Sequence, residues 1–349
     1  MQLLSSIPSL TFPDEWEALT ISSNTPLKCL VSVNTAVVLD LTLRPYNGKI
    51  VLHDVGTLIR DRAEGKISEV KLEVVKEGNR TTLATSSVIP AQRRMGETAT
   101  AFAASSFLSL LQTTKITHRA ATERVAWIGS DSGVTVTTVW STPKSVLTRA
   151  ESIAAQSTDG ASIADVSPNR FTPPTAGAQL CRYIVSCGAR RRHFIMAPPG
   201  LSLAGGVEIE YRNAFGIMDT MHAFGTVERS AKQTYKTARI SGRTKNYQSE
   251  DEVQLSCTFA PLAPGDHSVE EVALSREVRL LPSRAMITPV ESEIKESDDP
   301  TKIGLATIKF KVDEEAVVID NTSTAARRKV FDDSFDNSYE RSEEHTSEL

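Results

Sequence analysis

The chain has 349 residues, of which 40% are hydrophobic and 23% are charged, and its formal net charge is −4. A single hydrophobic core seldom extends over so many residues, so the length predicts two or three domains. The weak negative charge excludes the basic field that sequence-independent nucleic-acid binding requires, and we expect no nucleic-acid partner.

Neither a membrane span nor a secretory signal is expected. No stretch of about 18 apolar residues occurs in the sequence. The segment Met1 to Trp16 has no basic start, no apolar stretch after it and no small-residue cleavage site. The sequence therefore favours a soluble protein.

Alternation of apolar and polar residues predicts two hairpins near the start of the chain. The run Val37 to Leu43 alternates up to RPYNGK, whose Asn-Gly pair suits a tight turn, and resumes as Lys49 to Asp54. The run Val70 to Val74 alternates up to EGNR and continues as Thr81 to Ile89. Both patterns are typical of antiparallel strands.

The same alternation recurs to the end of the chain. A hairpin is predicted where Cys181 to Ser186 and Arg192 to Met196 are joined through CGAR. Further strands are predicted at Val134 to Trp140, Val207 to Arg212, Val253 to Phe259 and Ala306 to Val312. Since each strand has one polar face, we expect antiparallel sheets with one side in water.

Few helices are expected. Val55 to Ala63 and His267 to Leu274 each predict a short helix. The Ala- and Ser-rich run Ala99 to Leu111 fits either a helix or buried strands, and we favour strand. Thr148 to Gly160 is polar and predicts a long loop.

Together these patterns predict an all-β protein of tandem antiparallel β-sandwich, immunoglobulin-like domains with few short helices. Pro/Gly-rich breaks place the domains at 1–92, 93–205 and 206–320. Residues 321–340 lose periodicity and predict a disordered tail, in which Arg327, Arg328 and Lys329 form at most a flexible contact. Residues 341–349, RSEEHTSEL, resemble the translation of a sequencing-library adapter and are treated as an artefact.

The four cysteines indicate neither a zinc site nor a redox motif. They have no CxxC spacing and no nearby His to complete a zinc set. Cys29 and Cys257 lie in apolar strand patterns, where a free cysteine acts as a small buried hydrophobe. Cys181 begins the strand before CGAR and Cys187 is the first residue of CGAR. Reduced thiols fit assembly in a cytoplasm.

No enzyme motif is present, so no catalytic residue, cofactor or metal ligand is predicted. The sequence has no GxSxG, GxxxxGK[ST], HExxH or strand-linked GxGxxG pattern. Five histidines are scattered singly, which is typical of surface or sheet-face residues: His53, His118, His193, His222 and His267. The acidic run Glu296 to Pro300 lacks calcium-loop spacing and predicts a solvated turn.

Two regions are candidate interaction sites. Arg190, Arg191 and Arg192, followed by His193, could hold phosphate or an acidic partner, but a solvated edge that limits sheet-to-sheet aggregation is the favoured interpretation. In Glu210 to Ser230, the residues Tyr211, Arg212 and Phe215 could contact another subunit. The favoured alternative is a hairpin whose aromatic side chains enter the core.

Two stretches carry a resemblance to known proteins. They are LTFPDEWEALTISSNTPLKCLVSVNTAVVLDLTLRPYNGKIVLHDV, within Leu10 to Gly65, and EIEYRNAFGIMDTMHAFGTVER. Together they resemble uncharacterised tail or virion structural proteins of phages and prophages from Bacteroides-type gut bacteria. The resemblance excludes the middle, Gln92 to Gln179, and supplies no functional residues. It implies further sandwich modules and a virion location after assembly in the host cytoplasm.

The resulting expectation is a non-enzymatic structural component of a phage tail or virion-like assembly. Its partners would be other virion or tail proteins and further copies of itself, with no small-molecule ligand. One alternative is a surface or glycan-binding adhesion module that uses Trp16, Trp127 and Trp140, although two of these lie in strand patterns that predict burial. A β-rich hydrolase is the other alternative, and it would require a cleft with converging carboxylates or a Ser-His pair.

Overall fold

Strands dominate the described part of the protein, as the alternation predicts. The predicted fold class, all-β with few short helices, is therefore confirmed. The computed structural model describes residues 1–63, 65–91, 97–110, 114–158, 160–198, 207–240, 243–262, 268–295 and 304–312. No helix within these ranges is long and apolar enough to cross a membrane. The acidic run 296–300, the tail 321–340 and the segment 341–349 lie outside the described residues.

The first strand group comprises two sheets that share one core. Its elements are β1 (Gln2–Leu3), β2 (Leu10–Thr11), β3 (Ala18–Ser22), β4 (Leu27–Val33), β5 (Ala36–Leu43), β6 (Lys49–His53), α1 (Val55–Ala63), β7 (Ser68–Lys76) and β8 (Asn79–Val88). The sheets have the orders β1-β3-β6 and β2-β8-β7-β4-β5. Residues from both sheets and from α1 pack together, among them Ile21, Cys29, Ile59 and Leu72.

Two predictions are confirmed in this group, and one is corrected. Helix α1 has the predicted bounds, and β7 and β8 form the predicted hairpin. At RPYNGK the turn forms, with positive φ at Asn47 and Gly48, but β5 pairs with β4 and β6 pairs with β3. The predicted hairpin is therefore wrong. Pro45 cannot donate to a ladder, and the chain crosses there from one sheet to the other.

The second strand group also has two sheets around a common core. It contains α2 (Ala99–Ser105), β9 (Thr114–Thr117), β10 (Arg124–Trp127), β11 (Gly133–Ser141), β12 (Val146–Ala154), β13 (Gln156–Thr158), β14 (Ala161–Asp165), β15 (Gln179–Cys187) and β16 (Arg190–Met196). The sheet orders are β10-β14-β13 and β12-β11-β15-β16-β9. The CGAR hairpin is confirmed by the antiparallel pairing of β15 with β16.

Two local predictions in this group are wrong. Ala99–Ser105 is a helix because Thr98 caps it, its side chain accepting from the Ala101 backbone N–H, and because Ala99, Phe102 and Ala103 form one buried face. The supposed loop at Thr148 to Gly160 contains β12 and β13. Strand β12 lies at a sheet edge with most of its side chains toward water, so its sequence lacks an apolar face.

The third strand group is one seven-stranded sheet that curls over a helix. Its elements are β17 (Val207–Arg212), β18 (Met218–Ala223), β19 (Val227–Ile240), β20 (Arg243–Leu262), α3 (Ser268–Leu274), β21 (Val278–Leu281), β22 (Ala285–Lys295) and β23 (Gly304–Val312). The order is β18-β17-β21-β22-β23-β20-β19, and β18 also contacts β20. Val269 and Val272 of α3 pack on the sheet.

An aromatic cluster joins the three groups. The ring of Phe102 stacks on Phe215 with centroids 5.0 Å apart, and Phe12 lies 6.0 Å from Phe102. At the same junction Gly216, with φ +79°, approaches the first group so closely that a Cβ would lie 2.3 Å from the carbonyl oxygen of Gly65. Only glycine fits that contact, which holds the third group against the first.

Candidate functional site

A second, polar junction lies where the second group meets the third. Its centre is the Glu123 carboxylate, which is 1% exposed. Lys115 Nζ in β9 donates to Glu123 Oε2 at 2.6 Å, and His222 Nε2 in β18 lies 2.8 Å from Glu123 Oε1. Lys115 also donates to the Thr220 carbonyl oxygen at 2.6 Å and to Thr220 Oγ1 at 3.0 Å. We call Lys115, His118, Glu123, Glu208, Thr220 and His222 the polar junction.

His118 and Glu208 complete this junction on its less buried side. His118 follows β9, and its ring meets that of His222 edge to face with centroids 5.0 Å apart. Glu208 lies in β17 beside β18, and its Oε1 accepts from the Thr122 backbone N–H at 2.7 Å. The three ligand atoms offered by His118, Glu208 and His222 lie within 4.8 Å of one another.

Burial and pairing set the charges of these groups. Burial alone would raise the pKa of Glu123, but Lys115 and His222 outweigh it and lower that pKa to about 2. Burial lowers the pKa of His118 to about 4, with help from the neighbouring His222. Burial raises the pKa of Glu208. At neutral pH, Glu123 is therefore an anion and His118 is a neutral imidazole.

Two ring nitrogens at the junction are buried without a hydrogen bond among the described residues. They are Nε2 of His118 and Nδ1 of His222. Ionised Glu123 can only accept, so His222 Nε2 is the donor of their hydrogen bond, and in the neutral ring Nδ1 carries a lone pair. Buried polar atoms are usually satisfied, so these two nitrogens are unusual. Together with Glu208, the side chains of His118 and His222 form a set of ligands suited to a metal ion.

The histidines were expected to be isolated, and for His118 and His222 this is wrong. The residue after β9 and a residue of β18, from two different groups, are brought together by the packing of those groups, and no local spacing in the sequence predicts that contact. The polar face of β17 was expected in water. Instead Glu210 is 4% exposed and pairs with Arg124 Nη1 at 2.6 Å across the same junction.

The arginine run is not a solvated edge. Strand β16 lies between β15 and β9, and alternate residues face inward, so Arg190 and Arg192 are buried while Arg191 is exposed. Arg190 donates to the carbonyl oxygens of Ala103 and Ile128 and pairs with Asp131 Oδ2 at 3.0 Å. Arg190 is thus a cross-link within this chain, and Arg191 alone of the three remains an exposed candidate for a partner.

The aromatic residues of the second candidate region lie inside the chain. Tyr211 and Phe215 are 0% and 2% exposed, which favours the core alternative. Tyr211 donates to Glu271 Oε2 at 3.2 Å. Arg212 is half-buried and donates to Glu277 Oε2 and to the Gly216 carbonyl oxygen, both at 2.8 Å.

The three tryptophans are also in the cores. Trp16 and Trp127 are 0% exposed and Trp140 is 1% exposed, so none presents a ring face to a sugar. Cys29 and Cys257 are buried as predicted, and Cys187 is buried as well, while Cys181 is exposed. The aromatic platform that the glycan-binding alternative requires is therefore not formed by these residues.

The chain matches no protein-family model, and no curated protein shows significant similarity to it. Function must therefore be argued from the fold and from the residues described above.

Proposed function

We propose that the chain is a non-enzymatic structural component of a phage tail or virion-like assembly, built from β-sandwich modules of the immunoglobulin-like kind. It acts through contacts between its strand edges and neighbouring copies, and with other virion or tail proteins. The observation that carries this proposal is a two-stranded arm formed by β19 and β20.

The arm is the part of this hairpin that extends past the sheet. Strand β20 pairs with β23 from Val253 onward. Between Lys232↔Glu252 and Ile240↔Arg243, the two arm strands pair only with each other among the described residues. At about 3.3 Å per residue, this arm reaches about 30 Å beyond the sheet. We define the arm as residues 232–252.

A two-stranded arm of this kind gains little stability from the contacts between its own two strands. Isolated two-stranded hairpins are marginal in water, because each strand has one free edge and little apolar surface to bury. Among the described arm side chains, Lys232, Tyr235 and Lys236 are exposed, and Tyr235 is 51% exposed. A free edge of paired strands is a template for another strand, which is how many assembly proteins bind their neighbours.

A complementary edge is available on the first group. Strand β5 is the outer strand of its sheet, and its apolar residues Val37 and Leu41 are 52% and 47% exposed. Addition of the arm to β5 of the next copy would be a heterologous contact, since two different surfaces meet. Such contacts generate rings when the rotation closes, and rings are the building unit of a tubular assembly.

The remaining architecture supports a passive, rigid role. In the first two groups, paired sheets enclose one core each, as two-layered sandwiches require. The aromatic cluster and the polar junction then fix the groups to one another. A module of this kind transmits load and presents edges without needing to move.

The proposal is tested on particles from cultures that carry the gene. Quantitative mass spectrometry of gradient-purified particles is expected to find the chain at a fixed copy number, and cross-linking is expected to join Lys232 or Lys236 to a second copy. A gene in which residues 232–252 are replaced by Asn-Gly is expected to yield particles without the chain. Its absence from particles made by the intact gene would contradict the proposal.

A further inference from the structure

We propose that His118, Glu208 and His222 bind one divalent transition-metal ion of the zinc class at the polar junction. This inference is independent of the proposed assembly role. It rests on two buried imidazole nitrogens that have no hydrogen-bond partner among the described residues, and on a carboxylate beside them.

The ligand types select the class of ion. Two imidazoles and one carboxylate suit zinc and its first-row neighbours, whereas calcium and magnesium prefer an all-oxygen shell. The three protein ligands leave a fourth tetrahedral position for water. That position can be reached, because His118 and Glu208 are only partly buried.

Glu123 acts as a positioning residue for the site. It accepts the His222 Nε2–H at 2.8 Å and so orients the ring with Nδ1 free. Metal-binding histidines almost always donate their second ring nitrogen to a carboxylate, a backbone carbonyl or water, which fixes the tautomer and raises ligand basicity. Lys115 in turn holds Glu123 at 2.6 Å. Lys115 therefore positions Glu123, and Glu123 positions His222 so that the lone pair of its Nδ1 is available to the ion.

The ion would draw its ligands closer together. Zinc bonds of 2.0–2.1 Å at tetrahedral angles place ligand atoms about 3.4 Å apart, while one ligand atom from each of the three residues lies within 4.8 Å of the other two. A rotation of the His118 side chain is the least costly adjustment, since its Nε2 breaks no hydrogen bond. His222 is held by Glu123 and Glu208 by the Thr122 backbone N–H.

The position of the site gives the ion a role. His118 belongs to the second strand group, whereas Glu208 and His222 belong to the third. A bound ion would therefore clamp the two groups together. With His222 neutral, as a metal ligand must be, the ion would also offset charge, because the junction then holds the carboxylates of Glu123 and Glu208 against the single ammonium of Lys115.

The test uses tag-free full chain, stripped with a chelator and desalted. We expect titration with Zn²⁺ in a calorimeter to give one site per chain, and elemental analysis after gel filtration to recover one zinc per chain. Bound zinc is expected to raise the midpoint of thermal unfolding, since only the folded chain gathers the three ligands. Substitution with Co²⁺ is expected to give visible d–d bands of a nitrogen- and oxygen-bound ion.

Three variants make the result specific. His118→Ala is expected to weaken zinc binding by at least about 100-fold and to remove the Co²⁺ bands, because a ligand is lost. Since His118 Nε2 has no hydrogen bond to lose, this variant should keep the fold and the circular dichroism spectrum of the parent. Glu208→Gln is expected to weaken binding about 10-fold or more. His53→Ala, at an exposed position, is the matched control, and this substitution should leave zinc binding unchanged.

Two results would overturn the inference. One is stripped full chain that takes up no zinc although it is folded. The other is zinc binding that His118→Ala and Glu208→Gln leave intact, which would assign the ion to other residues.

Discussion

The polar junction and the arm are built from similar residues in opposite surroundings. At the junction, Lys115 and Glu123 are 9% and 1% exposed, and each charge has a partner from another element. On the arm, Lys232 and Tyr235 are exposed, and the described pairing of the arm strands is only with each other. The junction is completed within one chain, whereas the arm strands add no third strand among the described residues.

This difference separates internal stability from external function. Buried pairs are costly to break because the remaining group is left desolvated, so their residues should govern the folding of the chain. Exposed hairpin residues contribute little to folding, so their substitution should leave the fold intact and change association. Substitutions of the same residue type in the two regions test the distinction.

The largest effect is expected at Lys115. Lys115→Ala leaves the Glu123 carboxylate buried without its ammonium partner, and should lower the free energy of unfolding by about 4 kcal/mol. The same change at the exposed Lys232 should stay within about 0.5 kcal/mol. Urea unfolding followed by fluorescence measures both, and equal losses would remove the distinction between the two regions.

Arg190 and Arg191 provide a second matched pair on adjacent residues. Arg190→Ala removes the donors to Ala103 and Ile128 and should cost about 3 kcal/mol, since those carbonyl groups lose their partners inside the protein. Arg191→Ala should change the thermal midpoint little. A stability loss at Arg191 as large as that at Arg190 would show that the inward and outward faces of β16 are wrongly assigned.

Glu271, a buried residue of α3 outside the polar junction, gives the buried side of the comparison a pH dependence. Burial raises the pKa of this carboxyl to about 7 in the folded chain, against an ordinary value of 4.5. The folded state therefore holds the proton more tightly. The associated stability is full below pH 4.5 and is lost as the pH rises to about 7.

The consequence is measured by unfolding at pH 5 and pH 8. The free energy of unfolding should fall by about 2 to 3 kcal/mol more in the parent chain than in Glu271→Gln over this interval. Glutamine can keep both contacts, because its carbonyl oxygen accepts from the Ala214 backbone N–H and its amide N–H can donate to the Tyr211 hydroxyl oxygen, so the fold is kept. Glu228→Gln, at an exposed position of β19, is the control and should follow the parent.

The smallest effect on folding and a clear effect on association are expected at Tyr235. Tyr235→Ala should change the unfolding free energy by less than about 0.5 kcal/mol and weaken self-association about 10-fold, because exposed tyrosines commonly anchor interfaces. The comparison is Leu274→Ala, an exposed apolar residue outside the arm, which should not alter association. Identical association of both variants with the parent would count against the arm as the contact.

Local features of the fold could be predicted from sequence, and contacts between strand groups could not. The β7–β8 hairpin and helix α1 follow from turn residues and periodicity within one short segment. Helix α2 was missed because alanine and serine tolerate either structure, and its single capping threonine decides the outcome. At RPYNGK the turn residues predict the turn itself but not which sheet each strand joins.

The candidate site lay beyond prediction for the same reason. His118 and His222 are distant in sequence, and neither has a neighbouring residue in the sequence that would indicate a metal site. Glu208 and Glu210 alternate with apolar residues, and this sequence pattern predicts a strand face in water. A polar strand face that is buried against another strand group has the same sequence pattern. The arm was missed because neither face of residues 232–252 has an apolar pattern.

Sedimentation velocity of the intact chain beside an arm-shortened chain tests the central claim most directly. Ala231 pairs with Val253, so joining these residues through Asn-Gly in place of 232–252 closes the hairpin at an existing pair. The intact chain is expected to form larger species as its concentration rises, while the shortened chain, folded by circular dichroism, stays monomeric. Equal sedimentation of the two chains at every concentration would contradict the account.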